Sequence, residues 1–162
     1  RNLSVWIHSL AGVTWVGLLY YFNFVQVPAM ADALADEGGP GPAAIGKYVA
    51  PKALLWFRMS AAVTWLTGAW ALSLGYGFTN AFLLKPGAEM IGLGSWLGTI
   101  MLFNVWVLIW PNQKKILGMV EASAEEIAKA KFTAAMASRT NVVLSVPMLL
   151  CMIGAGHGGY LF

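Results

Sequence analysis

Apolar residues run almost unbroken through four stretches of this chain, 3–27, 53–76, 89–110 and 134–160, while charged residues gather between them. A helix needs roughly 20 mostly apolar residues to cross a bilayer. The pattern therefore predicts four transmembrane helices in a single domain, 1–162. The first stretch is too long, too aromatic and too closely followed by others for a cleaved signal peptide, and is expected to be retained.

The connections read differently from one another. Residues 28–51 start at Pro28, hold Asp32, Asp36 and Glu37, and pass through Gly-Gly-Pro-Gly-Pro at 38–42, a polar loop with a short helical start. Residues 77–88 make a short loop through Lys85-Pro86-Gly87. Between 112 and 133 charges alternate with Ile116, Leu117, Val120, Ile127 and Phe132, so the last helix is expected to begin early as an amphipathic extension.

Composition supports the membrane class. The chain is 59% hydrophobic and 10% charged, with a mean hydropathy of +0.67, against about 25% charged residues in soluble domains. The formal net charge of +3 does not point to nucleic acid. Its information lies in distribution: Arg1 and Lys85 fall on the side of the termini, whereas Lys47, Lys52, Arg58, Lys114, Lys115, Lys129, Lys131 and Arg139 fall on the other. The positive-inside rule makes the second side cytoplasmic, which places both termini toward the periplasm of a bacterial inner membrane.

Sliding the sequence by 81 residues aligns Trp15 with Trp96, Gly17 with Gly98, Phe22-Asn23 with Phe103-Asn104, Arg58 with Arg139 and Gly75 with Gly156. The expectation is an all-α bundle of four helices built from a duplicated two-helix hairpin, 1–81 and 82–162, with copies running parallel about an axis along the membrane normal. The histidines break this symmetry, since His8 aligns with Glu89 and His157 with Tyr76.

Those two histidines are the first candidates for chemistry. Four passes return both ends of the chain to one side, and two imidazoles at matching depth suit the axial positions of a haem iron. Gly12 lies one turn from His8, and Gly154 is among the glycines around His157, so both neighbourhoods lack bulk. Trp15, deep in the first helix, could pack on a porphyrin. Bis-histidine haem ligation, a shared metal or proton site, and purely structural histidines all remain open on pattern alone. The lone Cys151 provides no CxxCH motif, so any haem is non-covalent, a haem b. On the far side, Arg58 and Arg139 either clamp an anionic group or hydrogen-bond Asn23 and Asn104 across the hairpins; Arg139 is 18 residues, about 27 Å, from His157. Pro147 between them could kink the last helix.

Three segments, HSLAGVTWVGLLYYFNFVQVP at 8–28, NVWVLIWPNQKK at 104–115, and ASRTN followed by LSVPMLLCMIGAGH from 137 to 157, together resemble the membrane domain of the urate-oxidase N-terminal family. In bacterial membrane-bound urate hydroxylases that domain is fused to a C-terminal cytochrome c. A looser similarity, His then Trp-x-Gly-Leu then Tyr-Phe, links the first helix to four-helix haem b proteins such as the HemJ-type protoporphyrinogen oxidases and the copper-resistance D group. The resemblance implies a haem-associated membrane protein with His8 and His157 as metal ligands. The 162 residues match about the later half of the family's membrane portion and carry no cytochrome c motif, so the expected electron partner is a separate periplasmic cytochrome c or a quinone. Six-coordinate iron favours electron transfer. Alternatives are an oxidase acting on urate or a porphyrin, and a haem-free accessory or scaffold subunit; the many small residues also allow a homo-oligomer.

Overall fold

The computed structural model describes residues 1–159, and these are helical with no strand among them. Four long helical segments follow one another. The first joins α1 (Asn2–Tyr21) to α2 (Val27–Ala35), the second leads into α3 (Ala50–Ser73), and after the short α4 (Phe78–Phe82) the third joins α5 (Glu89–Phe103) to α6 (Trp110–Ile116). The fourth is α7 (Ala124–Ala155). Three of them, Asn2–Ala35, Glu89–Ile116 and Ala124–Ala155, are long and apolar enough to cross a membrane. The segment 45–73 is comparably long, but Lys52, Arg58, three tryptophans and several Ser and Thr residues lower its hydropathy.

The helices outrun the apolar stretches. The first continues past residue 27 to Ala35, the third past 110 to Ile116, and the fourth begins at Ala124, ten residues ahead of its apolar part. Polar ends extend a helix at no cost once it leaves the hydrocarbon. The early start of α7 is set by a capping box, in which Ser123 accepts from the Glu126 N–H at 3.2 Å and Glu126 accepts from the Ser123 N–H at 2.7 Å. Tyr160, at the end of the expected fourth span, lies outside the described residues.

Three wide π turns interrupt the α-helical ladder, at Phe22–Gln26, Ile45–Val49 and Asn104–Ile109. Each ends in a bond reaching five residues back: Val27 to the Phe22 carbonyl, Ala50 to Ile45, Trp110 to Val105. In every case the next residue is proline, Pro28, Pro51 or Pro111. A proline ring collides with the carbonyl four residues earlier and has no N–H to give it. Widening the preceding turn by one residue moves that carbonyl aside, so the helix continues rather than breaks. Pro147 evokes no such turn, and α7 runs α-helical on both sides of it.

Small residues decide which faces meet. The buried positions of α7 are Ala130, Ala134, Ala137, Asn141, Ser145, Met148, Cys151 and Gly154, a stripe at steps of three and four that is nearly free of bulk. Against it lies α5, antiparallel, with Gly94 so close that an added methyl would sit 3.1 Å from Cys151 Cβ. The α1–α3 pair is also antiparallel: Gly12 faces Thr64, the rings of Phe22 and Phe57 meet edge-on at 5.4 Å, and Gly75 lies beside Arg1. Polar pairs join the two hairpins, with the Tyr20 and Ser145 hydroxyls 2.7 Å apart and Trp65 donating to Thr99 at 2.9 Å. All four segments supply the core, through Trp15, Leu19, Phe57, Met101, Val105 and Met148 among others. Tyr76 donates to the Ala155 carbonyl at 2.9 Å, so the chain start, the end of α3 and the end of α7 gather at one end of the molecule.

Removing the cap with Ser123→Ala is expected to cost about 1 kcal/mol. Circular dichroism in detergent should show loss of helix confined to the first turns of α7 and a lower melting midpoint.

Candidate functional site

His8 is held by α3. Ser60, Thr64 and Gly68 recur every four residues on the face that α3 turns to α1, leaving a shallow strip into which a ring can settle. The half-buried imidazole donates from Nδ1 to the Thr64 carbonyl at 2.8 Å. It lies so near Gly68 that a Cβ there would come within 2.9 Å of Cε1 and 3.0 Å of Nδ1. A carbonyl can only accept, so Nδ1 carries the hydrogen, and in the neutral ring the lone pair is on Nε2.

His157 places a hydrogen on Nδ1 by a different route. It sits in the turn after α7, exposed, with its Nδ1 donating to the Ile153 carbonyl at 2.8 Å. Its N–H and that of Gly159 both bond the Gly154 carbonyl at 2.9 Å, and Gly158 closes the turn at φ +85°. Gly158 and Gly159 thus serve to end the helix in a turn, at a positive φ that a larger residue resists.

The two histidines share an end of the molecule but not a layer. His8 is seven residues, about 10 Å, into the helix from Arg1, whereas His157 lies beyond the end of α7. The expectation of matching depth overlooked that α7 stops at Ala155. Space expected over Gly12 is taken by the Thr64 methyl, 3.7 Å from where a Cβ would be. Trp15 is 2% exposed and its indole N–H has no partner among the described residues. Two cavities, of about 760 Å³ between α1 and α3 and about 330 Å³ between the 104–109 turn and α7, are lined by neither histidine. Each imidazole thus has Nδ1 anchored on a main-chain carbonyl and Nε2 outside that bond, at the same end of the molecule but at different depths.

A second polar layer lies toward the other end. Asn104 donates to Asn141 Oδ1 at 2.8 Å and Asn141 to the Met101 carbonyl at 3.0 Å, with Asn141 wholly buried. Asn23 donates to Ser138 at 2.8 Å and to the Leu19 carbonyl at 2.9 Å. The arginines stand apart from these pairs. Arg58 lies flat over the Trp110 ring, 3.7 Å from its centroid, and Arg139 is exposed. Short amides satisfy one another across α5 and α7, while the long guanidinium stacks on a ring near the helix end. Arg58 is six residues, about 9 Å, from Thr64 on the side away from Gly75, so neither arginine approaches a histidine. Sequence reasoning missed Thr64, Gly68, Ser138 and Trp110 as partners. The four-residue spacing of Ser60, Thr64 and Gly68 was the available signal for the first two.

The family model described as Urate oxidase N-terminal matches residues 76–162. The chain belongs to the urate oxidase N-terminal family. The match takes in α4 to α7 and the turn bearing His157, and leaves the His8 half outside it. No curated protein and no solved structure matches the chain.

Two measurements test this geometry. Gly68→Ala should push the His8 ring off Thr64, read as loss of the Nδ1–H signature for that residue by nitrogen NMR with little change in helix content. Asn141→Ala should cost about 1–2 kcal/mol in detergent unfolding, because it strands the Asn104 amide and the Met101 carbonyl, and adding Asn104→Ala should recover part of the loss.

Proposed function

We propose that this member of the urate oxidase N-terminal family is a membrane module that binds one haem b through His8 and His157 and passes electrons. The observation that carries the reading is the shared state of the two imidazoles. Each has its Nδ1–H donated to a main-chain carbonyl, Thr64 for His8 and Ile153 for His157, which leaves Nε2 free. That arrangement orients a ring and raises the basicity of its other nitrogen. Haem b, when bound, supplies one-electron redox chemistry.

The chain's own residues then have distinct tasks. Thr64 and Gly68 hold the His8 ring upright, the first by its carbonyl and the second by its lack of a side chain. Gly158 and Gly159, both at positive φ, let the chain turn so that His157 stands just past the end of α7. The unpartnered Trp15 indole N–H offers a donor in a dry part of the same helix face. The acceptor in this reading is a periplasmic cytochrome c or a quinone, reached from the end bearing both termini, which the Lys and Arg distribution assigns to the outer face of a bacterial inner membrane.

The same proposal takes segment 45–73 as a fourth crossing and the chain as a duplicated hairpin. In favour of the crossing, α3 lies beside α1 from Gly75 at Arg1 to Phe57 at Phe22. In favour of duplication, a π turn ended by a proline begins within each Phe-Asn pair, at its first residue, Phe22, in one half and at its second, Asn104, in the other. Trp15 and Trp96 have diverged, one buried and the other 46% exposed.

A second reading, a haem-free accessory subunit, draws on the fact that each imidazole already has a hydrogen-bond partner. The two are separated by the reduced-minus-oxidised visible spectrum of the purified protein. The expected result is a low-spin b-type spectrum that becomes high-spin or vanishes in both His8→Ala and His157→Ala. A colourless protein, obtained where a control b-type cytochrome keeps its haem, would overturn the haem reading.

A further inference from the structure

We propose that the groove between α1 and α3 is a binding site for one anionic phospholipid, with an acyl chain lying along Gly17 and the phosphate on Lys52. The groove is a shallow, open one of about 760 Å³, lined by Val13, Gly17 and Tyr21 on one side and by Tyr48, Lys52 and Trp56 on the other, with few further residues. Its walls are almost wholly apolar and Lys52 is its one charge.

The antiparallel register gives the groove a direction. Gly12 meets Thr64, so Val13 marks the level of Thr64, whereas Lys52 is twelve residues, about 18 Å, further along the axis toward the 28–51 connection. An apolar trough therefore leads from mid-helix to an ammonium group at the polar end. Lys47 adds a second ammonium there, 5.2 Å over the Tyr48 ring. This is the shape and charge order of a lipid with a long tail and a negative head, and basic pockets between helices recognise such headgroups.

Gly17 is what keeps the trough open. A Cβ at Gly17 would meet nothing within 4 Å, so the position demands no close packing, and a larger residue would fill the groove without disturbing the helices. Gly98, its counterpart 81 residues on, is equally open but lies outside the groove. The pair separates occlusion of this site from the general effect of adding bulk to a helix surface.

The inference needs a bilayer and not the haem. The test is native mass spectrometry of the full chain in neutral detergent with equimolar phosphatidylglycerol and phosphatidylcholine. One bound phosphatidylglycerol should predominate, Gly17→Leu should abolish it, and Gly98→Leu should leave it. Lys52→Gln should lower phosphatidylglycerol occupancy about five-fold with phosphatidylcholine unchanged, and Lys52→Arg should retain it. Equal binding of both lipids, indifference to Gly17→Leu, or displacement of the phospholipid by equimolar ubiquinone would each overturn the proposal. If Gly17→Leu lowers helix content by circular dichroism, the two Lys52 variants decide alone.

Discussion

The continuous backbone hydrogen-bond ladder is the constraint on which the rest of this structure depends. A helix apolar enough to enter hydrocarbon finds no water to satisfy a stray carbonyl or N–H, so each interruption must be repaired within the helix itself. The chain nonetheless carries Pro147 within α7, where no turn widens, and prolines at 28, 51 and 111 near the ends of its long helical segments. At these last three the turn ahead opens by one residue, and Val27, Ala50 or Trp110 takes a carbonyl five residues back. The helices stay whole, and side chains beyond each wide turn are rotated relative to those before it. Gln26 and Asn104 fall within such turns and are buried, which is how polar side chains reach the interior near the ends of apolar helices.

With the ladder intact, packing is left to shape and to a few polar bonds. Large apolar side chains such as Val13, Leu66, Val143 and Ile153 face outward, while glycine, alanine and serine line the contacts. Among surroundings as apolar as the side chains, burying a leucine gains little, but bringing two helices close gains dispersion and lets short polar groups meet. The Asn104–Asn141 and Tyr20–Ser145 pairs work this way, as does the imidazole of His8 on Thr64. His8 is thus tied to the same close α1–α3 approach that Gly12 and Gly68 permit, and packing decides which ring nitrogen donates to Thr64.

The contrast between the histidines follows from their supports. His8 is braced by a neighbouring helix and half-buried, whereas His157 is braced only by its own chain and is exposed. The two imidazoles are thus supported unequally, one between two packed helices and the other by the turn that follows α7.

Much was legible in the residue order because it depends on local chemistry. Unbroken apolar runs and scarce charge require helices, and the alternating charges of 112–133 pointed to an early start for α7; the capping box of Ser123 with Glu126 and the wide turns ahead of Pro28, Pro51 and Pro111 went unread. The family, too, was visible in three short segments. What residue order left open was the partner of every interior polar group. Arg58 could equally face an amide, an anion or a ring, and only the register between helices brought Trp110 beneath it while Asn104 turned to Asn141. In helices apolar all round, hydrophobicity does not say which face is inward, so register rests on the fit of small residues such as Gly12 against Thr64 and Gly94 against Cys151. Those fits join residues more than 50 positions apart, and only the folded chain decides them.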